Sequence, residues 1–308
     1  MASDPANRPP AGIMQQMEPG IRRIIAPNPS PMTYWGTNTF VLGEGDVAVI
    51  DPGPADKNHL ASILNGLGPN ERISQILVTH AHLDHSPLAS VLSKETGAPI
   101  LAYGDALSGR SSVMRDLVAR GLSSGGEGVD AEFTCDICLA DGEKFMAGGM
   151  EVEAIWTPGH FANHLSFAAQ GVVFTGDHIM EWASSLVSPP DGDLTAFMAS
   201  CRKLASRSDR AYYPAHGDPI DRPKERLDWL INHRLTREAE IQATLAQLDE
   251  ATVPTLTSAI YNETPDALIP AAERNVFAHL IDLAARGIVT ATPTLEANAV
   301  FRMTDEKK

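Results

Sequence analysis

Cysteine is scarce. Three in 308 residues are too few for the disulfide framework that holds small secreted domains together, so a reducing cytoplasmic location is expected. Basic residues are few as well. The chain has 24 Lys and Arg against 39 Asp and Glu, a net charge of −15, which argues against nonspecific binding along a phosphate backbone. Long apolar runs are missing: none approaches the roughly 20 residues of a membrane-spanning helix, so no membrane partner is expected. The opening MASDPANRPPAG lacks the basic and apolar regions of a secretory signal. No Gly-rich phosphate loop is present. SSGGEG at 123–128 has no Lys-Ser/Thr partner and no preceding strand, and reads as a flexible loop. What remains, 43% hydrophobic and 20% charged with a mean hydropathy of −0.12, is an ordinary soluble globular composition.

Organisation can be read from texture. Residues 1–19 are Pro-rich and polar and read as a flexible N-terminal arm. From Gly20 to residue 222, short apolar runs alternate with turn signals, as in IRRII (21–25), TFVL (39–42), DVAVID (46–51) and QILVTH (75–80). Helical periodicity follows several of them, as in 86–97 and 197–208. Strands interleaved with helices predict an α/β or α+β domain with sheets buried between helical layers. Residues 223–250 read as a helical linker, and 251–308 as two helices, Gly287 and a hairpin around IVTATPT. That order predicts a small winged-helix unit.

The chemistry concentrates in His80-Ala81-His82-Leu83-Asp84-His85, which follows an apolar strand. Residues two apart on a strand share a face, so His80 and His82 aim together. Asp84 and His85 fall where the chain turns into a helix. Three further apolar runs end in a small or turn residue and then a ligand type: VEAIWTPGH at His160, GVVFTGD at Asp177 and RAYYPAHG at His216. Imidazole and carboxylate ligands suit borderline metals such as zinc. Counting His80, His82 and His160 for one ion and Asp84, His85 and His216 for another leaves Asp177 between them, where a carboxylate can bridge and a hydroxide can be the second bridge.

With these four segments in order, the chain over about residues 20–220 resembles the metallo-β-lactamase superfamily. The resemblance implies an α+β fold, a four-layer αββα sandwich with two metal ions at one edge and the ligand sharing just given. Asp rather than Cys at 177 looks like the glyoxalase II-type dinuclear branch, and the winged helix with TPGHFANH and YYPAHG looks most like the lactamase-β-like hydrolases. Zinc is the expected metal, with manganese or iron as alternatives. Paired cations acidify bound water and polarise a carbonyl or phosphoryl oxygen. Asp84 is then both ligand and candidate catalytic proton shuttle.

Other residues are read more weakly. His164 is a candidate neighbour of the ligands or a structural histidine at a strand start. Met180 and Trp182 are candidates for an apolar substrate rim, and His233 for the pocket edge or a solvated helix face. Cys135 and Cys138 match CxxC, but on a strand they would face opposite sides. The expected function is a metal-dependent hydrolase acting on an ester, thioester, lactone or similar acyl bond of a small molecule. The runner-up is a single-strand endoribonuclease, which the related hydrolases include. Weak β-lactam hydrolysis and an iron redox enzyme are lesser readings. Residues 251–301 carry Arg274 and Arg286 against Glu263, Asp266, Glu273, Asp282 and Glu296, so the winged helix reads as a packing or homodimer element rather than a nucleic-acid binder.

Overall fold

The structure, a computed structural model, describes residues 9–123 and 128–304. Most of the SSGGEG loop therefore lies outside the described residues. In the first sheet β1 (Gln15–Glu18), β2 (Ile21–Ile25), β3 (Asn38–Leu42), β4 (Asp46–Ile50), β5 (Arg72–Leu77), β6 (Ile100–Ala102) and β7 (Ile137–Cys138) pair in that order. Pairing is antiparallel as far as β4 and parallel beyond it. The second sheet runs β12 (Ala211–Pro214), β11 (Val172–Gly176), β10 (Leu165–Ala169), β9 (Met150–Trp156), β8 (Lys144–Ala147).

Alternation along the strands explains the layering. Phe40, Leu42, Ala48, Ile50 and Leu77 meet Val152, Leu165, Phe167 and Phe174 between the sheets. Their neighbours Val41, Val47, Val49 and Ile76 point the other way, onto Ile63 of α1 (Lys57–Asn65) and Ala89 and Leu92 of α2 (Pro87–Thr96). A strand buried on both faces is apolar throughout, which is why these segments appear as continuous runs. Ala168 and Val173 of the second sheet pack on Phe197, Cys201 and Leu204 of α4 (Leu194–Ala205) and on Leu227 and Leu230 of α5 (Pro223–Leu248). The result is the αββα sandwich.

Helix boundaries follow local chemistry. Asp56 accepts a hydrogen bond from the His59 amide to start α1, and Asp193 caps α4 through Ala196. Pro87 opens α2, and Gly97, in the left-handed conformation, closes it.

The C-terminal unit holds α6 (Val253–Ile260), α7 (Ile269–Ala285) and a hairpin of β13 (Val289–Thr292) and β14 (Val300–Met303). Its core joins Leu256, Val276, Leu280 and Phe301 to Ile241 and Leu245 at the end of α5. Met114 and Leu117 of α3 (Ser112–Ala119), from the sandwich, complete that core. No helix among the described residues is long and apolar enough to cross a membrane.

The arm expected over residues 1–19 is corrected in part. Residues 15–18 are strand β1, joined to β2 by the Pro19-Gly20 turn. Pro-Gly supplies the two central residues of a tight turn, and Gly20 has φ +75. Glu18 then accepts from Arg210 at 2.7 Å and the Tyr213 hydroxyl at 2.9 Å. Pairing and burial of Met17 against the inter-sheet core outweigh the polar composition.

Backbone of the two sheets comes close where the β3–β4 and β8–β9 turns meet. Gly43, between β3 and β4, has φ +86, and a Cβ there would sit 2.0 Å from the Gly148 carbonyl oxygen between β8 and β9. Gly45 has φ +71 but open space around it. Gly43→Ala is therefore expected to lower stability by more than about 2 kcal/mol, and Gly45→Ala by about 1 kcal/mol, in urea unfolding. Equal losses would show that the backbone contact contributes nothing beyond the strain of a positive φ.

Candidate metal centre

One edge of the sandwich collects the chain where several strands end. After β5 come Thr79, His80, His82, Asp84 and His85; after β9, His160; after β11, Asp177; after β12, His216. Backbone bonds fasten the two sheets together at this edge. Leu165 N–H donates to the Thr79 carbonyl at 2.8 Å, and Asn38 N–H to that of Ala215 at 2.7 Å.

All seven sequence-derived candidates converge. His80, His82, His160 and Asp177 form one group able to hold a metal ion, and Asp84, His85, Asp177 and His216 form another. Within each group the ligand atoms lie within 4.8 Å of one another, and Asp177 belongs to both. In the first group His82 Nδ1 lies 2.7 Å from His80 Nε2 and 3.2 Å from His160 Nε2. In the second, His216 Nε2 lies 3.2 Å from Asp84 and 3.3 Å from Asp177.

The far side of most rings is tied down, which decides where the lone pairs point. His160 Nδ1–H donates to the Leu186 carbonyl at 2.8 Å and His216 Nδ1–H to that of Gly36 at 3.2 Å. His85 Nδ1 meets Asp51 Oδ2 at 2.9 Å. The Thr79 hydroxyl donates to Asp51 at 2.7 Å, so His80 Nδ1 donates to Thr79 at 3.0 Å. In each ring Nε2 is thereby left facing the cluster, the arrangement that holds metal-binding imidazoles in one tautomer.

Electrostatics also suit a cation. Burial, reinforced by neighbouring imidazoles, holds His80 well below its ordinary pKa, and His82 down to about 3. Burial opposes charge on His216 too, but Asp177 and Asp84 beside it raise its pKa to about 10. Burial would raise Asp177; His216 and His85 pull it well below the usual carboxylate range. His85 Nε2 and Asp177 Oδ1 are buried without a hydrogen-bond partner, 3.5 Å apart. His80 and His82 are thus held neutral, while the carboxylates that favour positive charge on His216 and, against its burial, on His85 are the ones that would favour a divalent cation in the same place.

A cavity of about 250 Å³ adjoins Asp177. Met180, Trp182 and Leu186 line one side, Met32 another, and Tyr261, Leu268 and Ala272 of the C-terminal unit close it. Met180 and Trp182 thus sit where the sequence suggested. His164 does not reach the cavity: its Nε2 accepts the Asp177 amide at 3.2 Å and its Nδ1 meets Thr157 at 2.9 Å. Gly176 permits this, since a Cβ there would lie 2.5 Å from His164 Nε2. Of the two readings of His233, the pocket edge is corrected and the helix face is what the structure has. His233 stacks on Trp229 along α5, with centroids 5.1 Å apart, and is not among the residues lining the cavity. Trp229 is itself half exposed and gives the imidazole an apolar surface on that face. The two cysteines also depart from expectation, with Sγ atoms 3.5 Å apart. A bend at Asp136, whose carboxylate accepts the Ile100 amide, breaks the strand geometry between them.

Sequence reasoning missed Asp51, in which only a turn was legible. It is 1% exposed and has φ +48. The available signal was an acid at the end of an apolar strand, the same pattern as Asp177.

A double-sheet sandwich with histidines and aspartates at one edge defines a class of metal-site proteins, and comparison with known proteins agrees. The pattern of the metallo-β-lactamase superfamily matches residues 32–216, and that of the β-lactamase-associated winged helix domain matches residues 252–296. The chain belongs to the metallo-β-lactamase superfamily. It is 30% identical to the "Beta-lactamase-like protein 2 homolog" of Drosophila melanogaster, over 86% of this chain and 88% of that protein. It is 28% identical to an "Atrochrysone carboxyl ACP thioesterase" of a Cryptosporiopsis species, over 79% of this chain and 68% of that protein. A β-lactamase domain protein from Burkholderia ambifaria, 20% identical, shares the fold with a TM-score of 0.80, over 96% of this chain and 95% of that one.

Asp51 provides a test that needs no metal. Asparagine tolerates a positive φ but turns an N–H₂ toward groups that now donate to a carboxylate. In chelator-treated protein Asp51→Asn is expected to lower unfolding free energy by about 1–3 kcal/mol. Unchanged stability would mean that the charge of Asp51 holds nothing in place.

Proposed function

We propose that the protein is a dinuclear metal-dependent hydrolase of small-molecule esters or thioesters with an apolar acyl group. The cavity beside Asp177 carries this choice of substrate. Its lining is mainly apolar, with no Lys or Arg among the lining residues, whereas a site for polynucleotide would present basic groups. A cavity of about 250 Å³ is of the size that small-molecule groups occupy. The thioesterase name of one relative is consistent with an acyl substrate.

His80, His82 and His160 would hold one ion, Asp84, His85 and His216 the other, and Asp177 both. Bound there, two divalent cations, zinc foremost, supply acidified water and a Lewis acid for the carbonyl oxygen. The protein does the rest. Met180, Trp182 and Leu268 exclude water from the acyl group and aim its carbonyl toward Asp177. Asp84 is held ionised: burial works against the charge, but His85 and His216 outweigh it. Its side chain is 24% exposed against 7% for Asp177. It is therefore the carboxylate of the cluster best able to pass a proton from attacking water to the leaving group or to solvent.

Elemental analysis of purified protein should find about two transition-metal ions per chain. His82→Ala and His216→Ala should each lose metal; full retention in both would refute the ligand assignment. Metal-replete protein should be compared on a panel of acyl esters, thioesters and lactones and on a single-stranded RNA, each with Asp84→Ala as control. Acyl turnover should rise as the chain lengthens from acetyl and level off once the cavity is filled. Ala272→Trp, which fills the cavity, should cut kcat/KM for the long acyl groups about tenfold or more and spare acetyl esters. RNA cleavage that depends on Asp84, with acyl esters untouched, would overturn the proposal in favour of a nuclease.

A further inference from the structure

Arg234 is an unusual residue to find where it is. It lies on α5, is 3% exposed and, among the described residues, forms no ion pair. A buried charge without a counterion is retained at a thermodynamic disadvantage, so its hydrogen bonds show what it secures. One terminal nitrogen donates to the carbonyl of Ser185. The other donates to Asn275 Oδ1 on α7 at 3.1 Å. The same Oδ1 accepts the amide of Val187 at 3.2 Å, and Asn275 Nδ2 donates back to the Ala271 carbonyl at 3.3 Å. Residues 185 and 187 are thus anchored, and the residue between them is Leu186. Its carbonyl is the acceptor for His160 Nδ1–H at 2.8 Å.

We infer that Arg234, with Asn275, is a positioning residue for the metal centre, and that α5 and α7 set the ring orientation of His160 through the Leu186 carbonyl. His160 comes from the sandwich, yet its acceptor is held by helices outside the ligand-bearing segments. Second partners of this kind fix the tautomer and direction of a metal-binding imidazole, and their loss weakens metal affinity by about 10–100-fold. Arg226, two turns earlier on α5, grips the same loop elsewhere, donating to the carbonyls of Met180 and Ala183 at 2.7 and 2.8 Å. It supports the apolar wall of the cavity and not the histidine. The role of Arg234 rests on the proposal that His160 is a metal ligand, and is independent of which bond the protein hydrolyses.

The test is titration of chelator-treated full-length protein with zinc and with cobalt(II), in competition with a chromophoric chelator. Native protein should bind two ions. Arg234→Met should bind one of them about 10–100-fold more weakly and the other as native does. Asn275→Leu should behave like Arg234→Met. Asn275→Asp keeps both acceptor bonds and should retain near-native affinity. Arg226→Met should leave both affinities within about threefold while raising KM for acyl substrates. Leu283→Ala, in the C-terminal core away from the loop, should lower thermal stability without weakening either ion. Two native affinities in both Arg234→Met and Asn275→Leu would overturn the inference. So would an equal loss of metal in Leu283→Ala, which would reduce Arg234 to general stability. Native protein that binds no ion would overturn the ligand assignment, and with it the role of Arg234.

Discussion

Five histidines and two aspartates drawn into one mostly buried cluster impose the constraint to which the surrounding structure answers. Removing an ionised group from water costs several kcal/mol unless partners replace the solvent. Each ring and carboxylate therefore needs a second contact on the side away from the cluster, and those contacts come from distant parts of the chain. Asp51 arrives from β4, Leu186 from the loop after β11, and Gly36 from the segment before β3. The two sheets must meet at this edge for the contacts to exist. The hydrogen bonds of Asn38 to the carbonyls of Pro214 and Gly217, both 2.9 Å, keep them there.

The ligand cluster forms only one end of the adjoining cavity; the C-terminal unit supplies part of the remaining lining. Tyr261, Leu268 and Ala272 face Met180 and Trp182 across the cavity. Aromatic stacking of Tyr34 on Trp182, with centroids 4.9 Å apart, fixes the opposite wall. The acidic balance of this unit makes sense in that position. The unit lines an apolar cavity and packs on α3 and α5, contacts that call for no basic surface.

Much of this was legible in the sequence because strands buried on both faces leave uninterrupted apolar runs, and ligands that follow such runs must lie at sheet ends. That pattern exposed His80, His82, His160, Asp177 and His216 at the ends of sheets buried between helices, and the resemblance to the family then implied the four-layer sandwich. The order helix, helix, glycine, hairpin likewise revealed the winged unit. Long-range contacts were not legible. Asp51 lies in a turn signal, DPGP, whose local meaning conceals a bond to a histidine 34 positions away. Strand β1 hides in a polar segment because its stabilisation comes from pairing with β2 and from Tyr213, not from its own composition. His233 could by sequence have stood at the pocket edge or on a helix face, and the rotation of α5 that puts it beside Trp229 is one that the residue alone does not specify. Cys135 and Cys138 meet because a single bend departs from the strand period.

Helix α5 runs unbroken for 26 residues, about 39 Å at 1.5 Å per residue. Its first turns are embedded against the second sheet and its last turns in the C-terminal core. A hinge needs a short segment that can absorb a change in backbone angles, and a continuous helix offers none. Along α5 itself there is thus no hinge between the sandwich and the C-terminal unit, and one rigid rod is shared by both cores.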